Sequence, residues 1–359
     1  MEAPGYAGTG LVNLVAELET RLTGAAPSPP LERRLAATIP EAPSYVLVVC
    51  DGLGDRQLAH PDARPLLQYR VAAIDAPFPT TTTVSLATVA TGLPPSRHGL
   101  LGYQLWLPDT GVVVNTIKWT TLWGEPVSYD TQAFLPGPNT WERLRAAGVE
   151  PITVQPASFE GSPLTRTLYR GCRFEAFRDD REAVAAACSL AEQPGRLILL
   201  YLPYIDFAAH VAGQNTAEYA EAVAETAAVW ERLAITIRGA VAVGTADHGH
   251  VDVPRHRRVS IPKADHEDRI FYGDPRVVFV RGAPPEAHLP ATWVPRPKME
   301  EWWGPPPRHP AFEDRAPDGV LVADDGYSLL HRHADDRLIG QHGGLTSAEV
   351  YIPLLVAAP

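Results

Sequence analysis

Cysteine is scarce in this chain. The three present, Cys50, Cys172 and Cys188, form no C-x-x-C pair, so neither a disulfide framework nor a thiolate zinc site is expected. Any bound metal must be held by Asp and His. No stretch approaches the roughly 20 apolar residues needed to span a bilayer, and the N-terminus lacks a basic segment followed by an apolar run. The chain therefore reads as soluble and cytoplasmic, with no membrane partner. Basic charge is also short: 31 Lys and Arg stand against 42 Asp and Glu, a formal net charge of -11. That balance argues against a stable DNA- or RNA-binding surface and leaves a small anionic substrate to be bound through local cations. There is no internal repeat and no low-complexity tail. With 36 prolines in 359 residues, a coiled coil is excluded and many stiff loops are expected.

What remains is globular composition, 45% hydrophobic and 20% charged, on a chain long enough for a sizeable core. Leu11, Leu14, Val15, Leu18 and Leu22 recur at helical spacing, which predicts an amphipathic helix packed on the domain with its polar face in solvent. Residues 1–30 then read as this helix and a connector rich in Ala, Pro and Ser. The body, 31–359, opens with Y-V-L-V-V-C (Tyr45 to Cys50), an apolar run without polar alternation, as expected of a strand covered on both faces. Val112 to Ile117, Arg196 to Tyr201, Ala240 to Gly244 and Arg276 to Val280 are further buried-strand candidates. Helical patterns lie between them at Thr140 to Ala147, Arg181 to Ala191 and Thr216 to Ile237. This alternation predicts an α/β fold: a doubly wound, largely parallel central sheet with helices on both faces and sites at the C-terminal strand ends. Pro284 to Pro317, rich in Pro and Trp, reads as a small cap or insertion.

Four segments run from an apolar pattern directly into Asp or His: V-V-C-D-G-L-G (Asp51), L-P-Y-I-D-F-A-A-H (Asp206, His210), V-G-T-A-D-H-G-H (Asp247, His248, His250) and I-G-Q-H-G-G (His342). Each alone is an ordinary turn or cap. Parallel strands end on one edge, however, and a convergent cluster of carboxylates and imidazoles would be costly to bury without cations. Asp206 and His210, four apart, share a face if the segment is helical. Mixed N/O ligation without thiolate suits zinc first, with manganese or another transition ion as alternatives.

A fifth segment, F-P-T-T-T-T-V-S-L-A-T-V-A-T-G-L-P-P-S-R-H-G-L-L-G-Y (Phe78 to Tyr103), supplies hydroxyls at the start of a helix expected from Thr82 to Ala90 and stopped by Gly92 and Pro94. Some of these threonines are caps or spacers. One is expected to act as a nucleophile, which a hydroxyl does at neutral pH only when a cation or base lowers its pKa.

The ordered set D-G, F-P-T-T-T, T-G-L-P-P-S-R-H-G-L-L-G-Y, D-x-x-x-H, D-H-G and H-G-G resembles the alkaline phosphatase superfamily, and within it the bacterial type I phosphodiesterase and nucleotide pyrophosphatase family. The resemblance spans roughly Val46 to Val356. It implies an alkaline phosphatase-like sheet and two zinc ions. One would be held by Asp206, His210 and His342; the other by Asp51, Asp247, His248 and the nucleophile, which counts to Thr82, nine residues before Thr91. Members of the family place Phe after the nucleophile, to stack on a base, and Asn shortly after the H-G motif, to bind a phosphate oxygen. Here the matching residues are Thr83 and Tyr103; Tyr103 is the candidate substrate-binding donor, with packing beside Leu101 and Trp106 as the alternative.

The reading is therefore a two-metal hydrolase that cleaves phosphodiester or pyrophosphate bonds of a small phosphate ester or nucleotide through a phospho-threonine intermediate. The rivals are a phosphomonoesterase, phosphonate hydrolase or sulfatase on the same scaffold, and a nonenzymatic metal-stabilised binding protein. No C/S-x-P/A-x-R pattern occupies the nucleophile position, and every expected ligand position is filled. The only Arg in the nucleophile segment, Arg97, lies beyond the helix, although Arg166 and Arg255 could reach the site from elsewhere. His250 is left outside the metal set as a loop residue, and His60, His98, His256, His266, His331 and His333 are expected at the surface. Lys118 and Trp119 are weaker candidates to face the substrate, a Trp beside an apolar run being more often core, and Cys50 is a small buried hydrophobe. Oligomeric state is not legible.

Overall fold

The computed structural model describes residues 1–359. Its main sheet has seven strands: β1 (Tyr45–Cys50), β2 (Arg70–Asp75), β3 (Glu150–Pro156), β4 (Arg173–Phe177), β5 (Arg196–Leu202), β6 (Val241–Thr245) and β7 (Tyr351–Ala357), in the spatial order β2-β7-β6-β1-β5-β3-β4. The pairs β1–β5, β1–β6, β3–β5 and β3–β4 are parallel, and β7 alone runs against the other six strands, pairing antiparallel with β2 and β6. The continuous apolar runs of β1 and β5 are buried along their whole length, as central strands covered on both faces require. The architecture is the doubly wound one expected from the sequence.

Five helices matter for the site and its support: α1 (Leu11–Thr23), α2 (Thr82–Thr91), α3 (Asp180–Ala191), α4 (Tyr204–Ala212) and α5 (Ala217–Thr236). α2 begins where four threonines follow the strand-to-helix loop and ends at Gly92, whose φ of 63° suits a residue without Cβ. α1 departs from expectation. Its polar residues Asn13, Glu17 and Glu19 are buried rather than solvated. Asn13 Nδ2 donates to the carbonyls of Tyr6 and Pro29, and Glu19 takes the Arg143 guanidinium at 2.6 Å. The helix is thus built into the body through satisfied polar contacts.

Two expected central strands lie elsewhere. Val112–Asn115 is the middle of a three-stranded antiparallel sheet with Gln104–Leu107 and Thr120–Thr121. Val277–Arg281 belongs to a four-stranded antiparallel sheet with Ile270–Asp274, Gly319–Ala323 and Ala291–Pro295. Short apolar runs do not reveal which sheet they join. The Pro/Trp-rich segment 284–317 contributes Ala291–Pro295 to this second sheet, so it does not stand apart. Tyr272, Val277 and Phe279 from the second sheet join the same apolar core as the main sheet, while Phe271, Val278 and Val280 alternate to a smaller cluster on its other face.

Candidate metal and catalytic site

β1, β5 and β6 are neighbours and end on one edge. Asp51 follows β1 directly, Asp206 and His210 lie on α4 just after β5, and Asp247 and His248 follow β6. Thr82, the first residue of α2, and His342, from the loop before β7, complete the basin. The side chains meet. His210 Nε2 is 3.3 Å from Asp206 Oδ1, and His342 Nε2 is 3.9 Å from the same oxygen. His248 Nε2 lies 3.7 Å from Asp51 Oδ1 and 3.6 Å from Asp247 Oδ2, with Thr82 Oγ1 at 3.2 Å. Every sequence-derived candidate except Tyr103 is within this tight cluster, and Tyr103 lines the same cavity as Thr82, Asp206, His210 and His342.

The main chain sets the histidine tautomers. Nδ1 of His210, His248 and His342 faces the carbonyls of Gly340, Gly249 and Thr80 at 2.8, 3.2 and 3.0 Å. A carbonyl only accepts, so Nδ1 carries the proton and Nε2 presents a lone pair to the basin. Burial, which penalises the charged imidazole, lowers the pKa of both His248 and His342, whose rings stack 3.9 Å apart. Lone pairs and carboxylate oxygens therefore face one another. Asp51 Oδ1, Asp206 Oδ1 and Asp247 Oδ2 are buried without a hydrogen-bond partner.

His250 corrects the sequence reading. It is buried rather than in a solvent-exposed loop, its Nδ1 faces the Gly52 carbonyl, and its unpartnered Nε2 lies 3.0 Å from Asp206 Oδ1. Two donor sets result that satisfy the spacing of a cation site, Asp206–His210–His250–His342 and Asp51–Asp206–His248. Inward lone pairs, unpartnered carboxylate oxygens and the absence of thiolate all fit divalent ions. Asp247 Oδ1 accepts from the Gly52 and His248 N–H groups, which fixes the carboxylate and leaves Oδ2 free. Tyr201 donates to Asp51 Oδ2. Burial, with Asp206 and Asp247 beside it, raises Asp51 well above the usual carboxylate range.

His98 and His331, expected at the surface, are buried. Trp119 is core, the commoner outcome for a Trp beside an apolar run, and Thr83 is buried with its hydroxyl unpartnered. Lys118 borders a second, more apolar cavity of about 510 Å³ that shares Thr82 and Asp206 with the first. Arg166 and Arg255 border neither cavity. Asp274, which has no motif around it, faces the first cavity, and burial pushes its pKa up to about 8. Only its position at the end of a strand of the second sheet could have marked it.

Comparison with known proteins places this geometry. No curated protein matches the sequence. The chain is similar to the structure of murine ectonucleotide pyrophosphatase/phosphodiesterase 5, at TM-score 0.66 and 19% identity over 88% of each chain. It is likewise similar to that protein's inactive variant in complex with AMP, at TM-score 0.64 and 18% identity over 88% of each chain. Phosphonoacetate hydrolase from Sinorhizobium meliloti 1021, in complex with phosphonoformate, is also similar, at TM-score 0.64 and 20% identity over 89% of this chain and 90% of that one. These likenesses show an alkaline phosphatase-like fold. The family described as type I phosphodiesterase / nucleotide pyrophosphatase matches residues 45–345, and the chain, a hydrolase of phosphodiesterase and pyrophosphatase type, belongs to that family.

Proposed function

We propose that the protein hydrolyses a phosphodiester or pyrophosphate linkage in a small phosphate ester or nucleotide, with Thr82 as nucleophile and two divalent metal ions, zinc first, as cofactors. The observation that carries this reading is Thr82 Oγ1 at 3.2 Å from His248 Nε2, beside three buried carboxylate oxygens, one each from Asp51, Asp206 and Asp247, that have no hydrogen-bond partner. Asp206, His210 and His342 would hold one ion, with His250 as an added donor; Asp51, Asp247, His248 and Thr82 would hold the other. When bound, the ions supply Lewis-acid polarisation of the phosphoryl group and a lowered hydroxyl pKa. The chain's own part is to orient and exclude. The carbonyls of Gly340, Gly249 and Thr80 hold three imidazoles in one tautomer, and the N-terminus of α2 presents N–H donors toward a phosphate oxygen. Thr82 attacks phosphorus in line with the leaving group, forming a phospho-threonine that water then hydrolyses.

A diester is favoured over a monoester. Neither cavity bordering Thr82 contains an Arg, and a dianionic monoester gains more than a diester from such a clamp. Thr83 is buried, so no aromatic ring follows the nucleophile into the cavity, and the second arm has only the walls of the apolar cavity to meet it. Phosphonate hydrolysis is the second reading, favoured by Lys118, the one cation bordering that cavity, which suits a carboxylate. Three free thiols are compatible with a reducing compartment such as the cytoplasm.

The test compares kcat/KM for bis-p-nitrophenyl phosphate, thymidine monophosphate p-nitrophenyl ester, p-nitrophenyl phosphate and phosphonoacetate under zinc saturation. Diester turnover that chelator and Thr82→Ala both abolish is the expected result. Fastest turnover of the monoester overturns the diester assignment, and activity retained by Thr82→Ala overturns the nucleophile.

A further inference from the structure

The one phenol lining the smaller of the two cavities beside Thr82 is held in an unusual way. Tyr103 precedes the strand Gln104–Leu107, which pairs antiparallel with Val112–Asn115 so that Gln104 stands opposite Asn115. Its carbonyl accepts from Thr116 N at 2.9 Å and Thr116 Oγ1 at 2.8 Å, fixing the backbone beneath the ring. Asn115 then reaches the ring's far end: its Nδ2 donates to Tyr103 Oη at 3.1 Å.

The direction of that bond is set by the other half of the amide. Asn115 Oδ1 accepts from the N–H groups of Ile117 at 2.9 Å and Lys118 at 3.1 Å. Two N–H donors require the oxygen on that side, so the amide nitrogen must face Tyr103. The phenolic oxygen is thus an acceptor toward Asn115, and its own proton goes to no group of the protein. Burial, with Asp274 beside it, raises the phenol above its ordinary range and keeps that proton in place. The ring lines the roughly 280 Å³ cavity that also exposes Thr82, Asp206, His210 and His342.

We propose that Asn115 is a positioning residue: by donating to Tyr103 Oη it directs the Tyr103 O–H into the Thr82 cavity, where it donates to a nonbridging oxygen of the phosphate ester. This rests on the phosphoryl-transfer reading above. Tyr103 touches substrate; Asn115 acts only through it.

Asn115→Asp is the discriminating variant, because it keeps the shape and the acceptor for Ile117 and Lys118 but replaces the donor with a second acceptor. The Tyr103 proton then turns away from the cavity toward the new carboxylate. Both Asn115→Asp and Tyr103→Phe should lower kcat/KM for bis-p-nitrophenyl phosphate and raise Ki for inorganic phosphate by roughly 10- to 100-fold, the worth of a hydrogen bond to a charged group. The double variant should fall no further than Tyr103→Phe alone. If it falls by the full extra factor of Asn115→Asp, the new charge rather than the phenolic proton is responsible, and the inference is overturned. Asn115→Leu, which removes the donor without adding charge, should lose less than Asn115→Asp; equal loss in the two overturns the inference as well. Thr82→Ala separates the levels. A wild type no faster than Thr82→Ala overturns the phosphoryl-transfer reading and this inference with it, whereas Thr82-dependent turnover unchanged by Asn115→Asp overturns this inference alone.

Discussion

At the scale of single residues, the four consecutive threonines show how one chemistry divides into unlike roles. Thr80 Oγ1 donates to the Gly344 carbonyl and accepts from Gly343 N, tying α2 to the His342 loop. Thr81 is the N-cap, Thr82 faces His248, and Thr83 is buried with an unpartnered hydroxyl. Thr83→Val removes that orphan without changing shape, so stability should hold or rise by about 1 kcal/mol, with activity unchanged. Thr82→Ala should abolish turnover while zinc content stays near wild type, and Thr82→Ser should retain part of it. A dead Thr83→Val would shift the register of the nucleophile by one. His98 offers a pH test away from the basin. Its Nδ1 accepts from Leu100 N and its ring faces Thr88 Oγ1, so the neutral form is built in, and burial pushes its pKa down to about 3. The unfolded chain takes up this proton below the ordinary histidine pKa near 6.5 and the folded chain does not. Stability should therefore fall as pH drops from about 6.5 toward 3, by on the order of 1 kcal/mol per pH unit from this group. His98→Asn should show a shallower acid limb in Tm against pH; an identical slope would remove His98 as its source. The sequence showed Asp51, Asp206, Asp247, His248 and His342 because each sits where a strand run or its continuation stops. It left His98, His250 and Asp274 unassigned because burial depends on what packs around a side chain, which local spacing does not show.

At the scale of elements, the chain's legibility follows how far each signal is local. β1 and β5 were readable because a central parallel strand is apolar on both faces, and α5 because its inward stripe is long. The strand Val112–Asn115 carries a similar apolar pattern yet pairs with its own hairpin neighbours, a choice made by the turns around it rather than by its composition. The second sheet is fastened to the main one by a buried ion pair. Arg276, between Ile270–Asp274 and Val277–Arg281, places Nε 3.2 Å from Glu349 Oε1 and also donates to the carbonyls of Asp324 and Tyr327. Glu349 in turn accepts from the N–H groups of Gly344 and Thr346, in the loop that follows His342. Breaking the pair would leave a charge buried alone. Arg276→Leu should cost about 3–5 kcal/mol, read as a lower denaturant midpoint. Its effect should reach the catalytic edge, because the Glu349 carboxylate that braces the His342 loop loses its counter-charge. Glu349→Gln, which keeps one acceptor oxygen for the Gly344 N–H, should disturb activity less than Arg276→Leu for a comparable loss of stability. The reverse order would show that the pair secures only the second sheet.

At the scale of the whole molecule, the sheet edge that carries the candidate site is where the fold concentrates repulsion. Asp51, Asp206 and Asp247 gather at the ends of three adjacent strands, with Asp274 added from the second sheet, in a chain already carrying a formal net charge of -11. Burial raises Asp51 and Asp274 above the usual carboxylate range, so without cations part of this cluster must hold protons or repel. A divalent ion that binds the folded form and not the unfolded one stabilises by RT ln(1 + [L]/Kd), about 2.7 kcal/mol when the free ion is at 100 times its Kd. Full chelation should therefore lower Tm by several degrees, and added zinc should restore it in a concentration-dependent way. The size of that shift should itself depend on the basin. Asp206→Asn removes a carboxylate common to both donor sets, so its zinc-induced rise in Tm should be smaller than that of the wild type. Elemental analysis of protein purified without chelator should find near two ions per chain, the number a two-metal hydrolase requires. An equal zinc-induced shift in wild type and Asp206→Asn would place the stabilising ion elsewhere, and with it the assignment of this edge as the metal centre would fall.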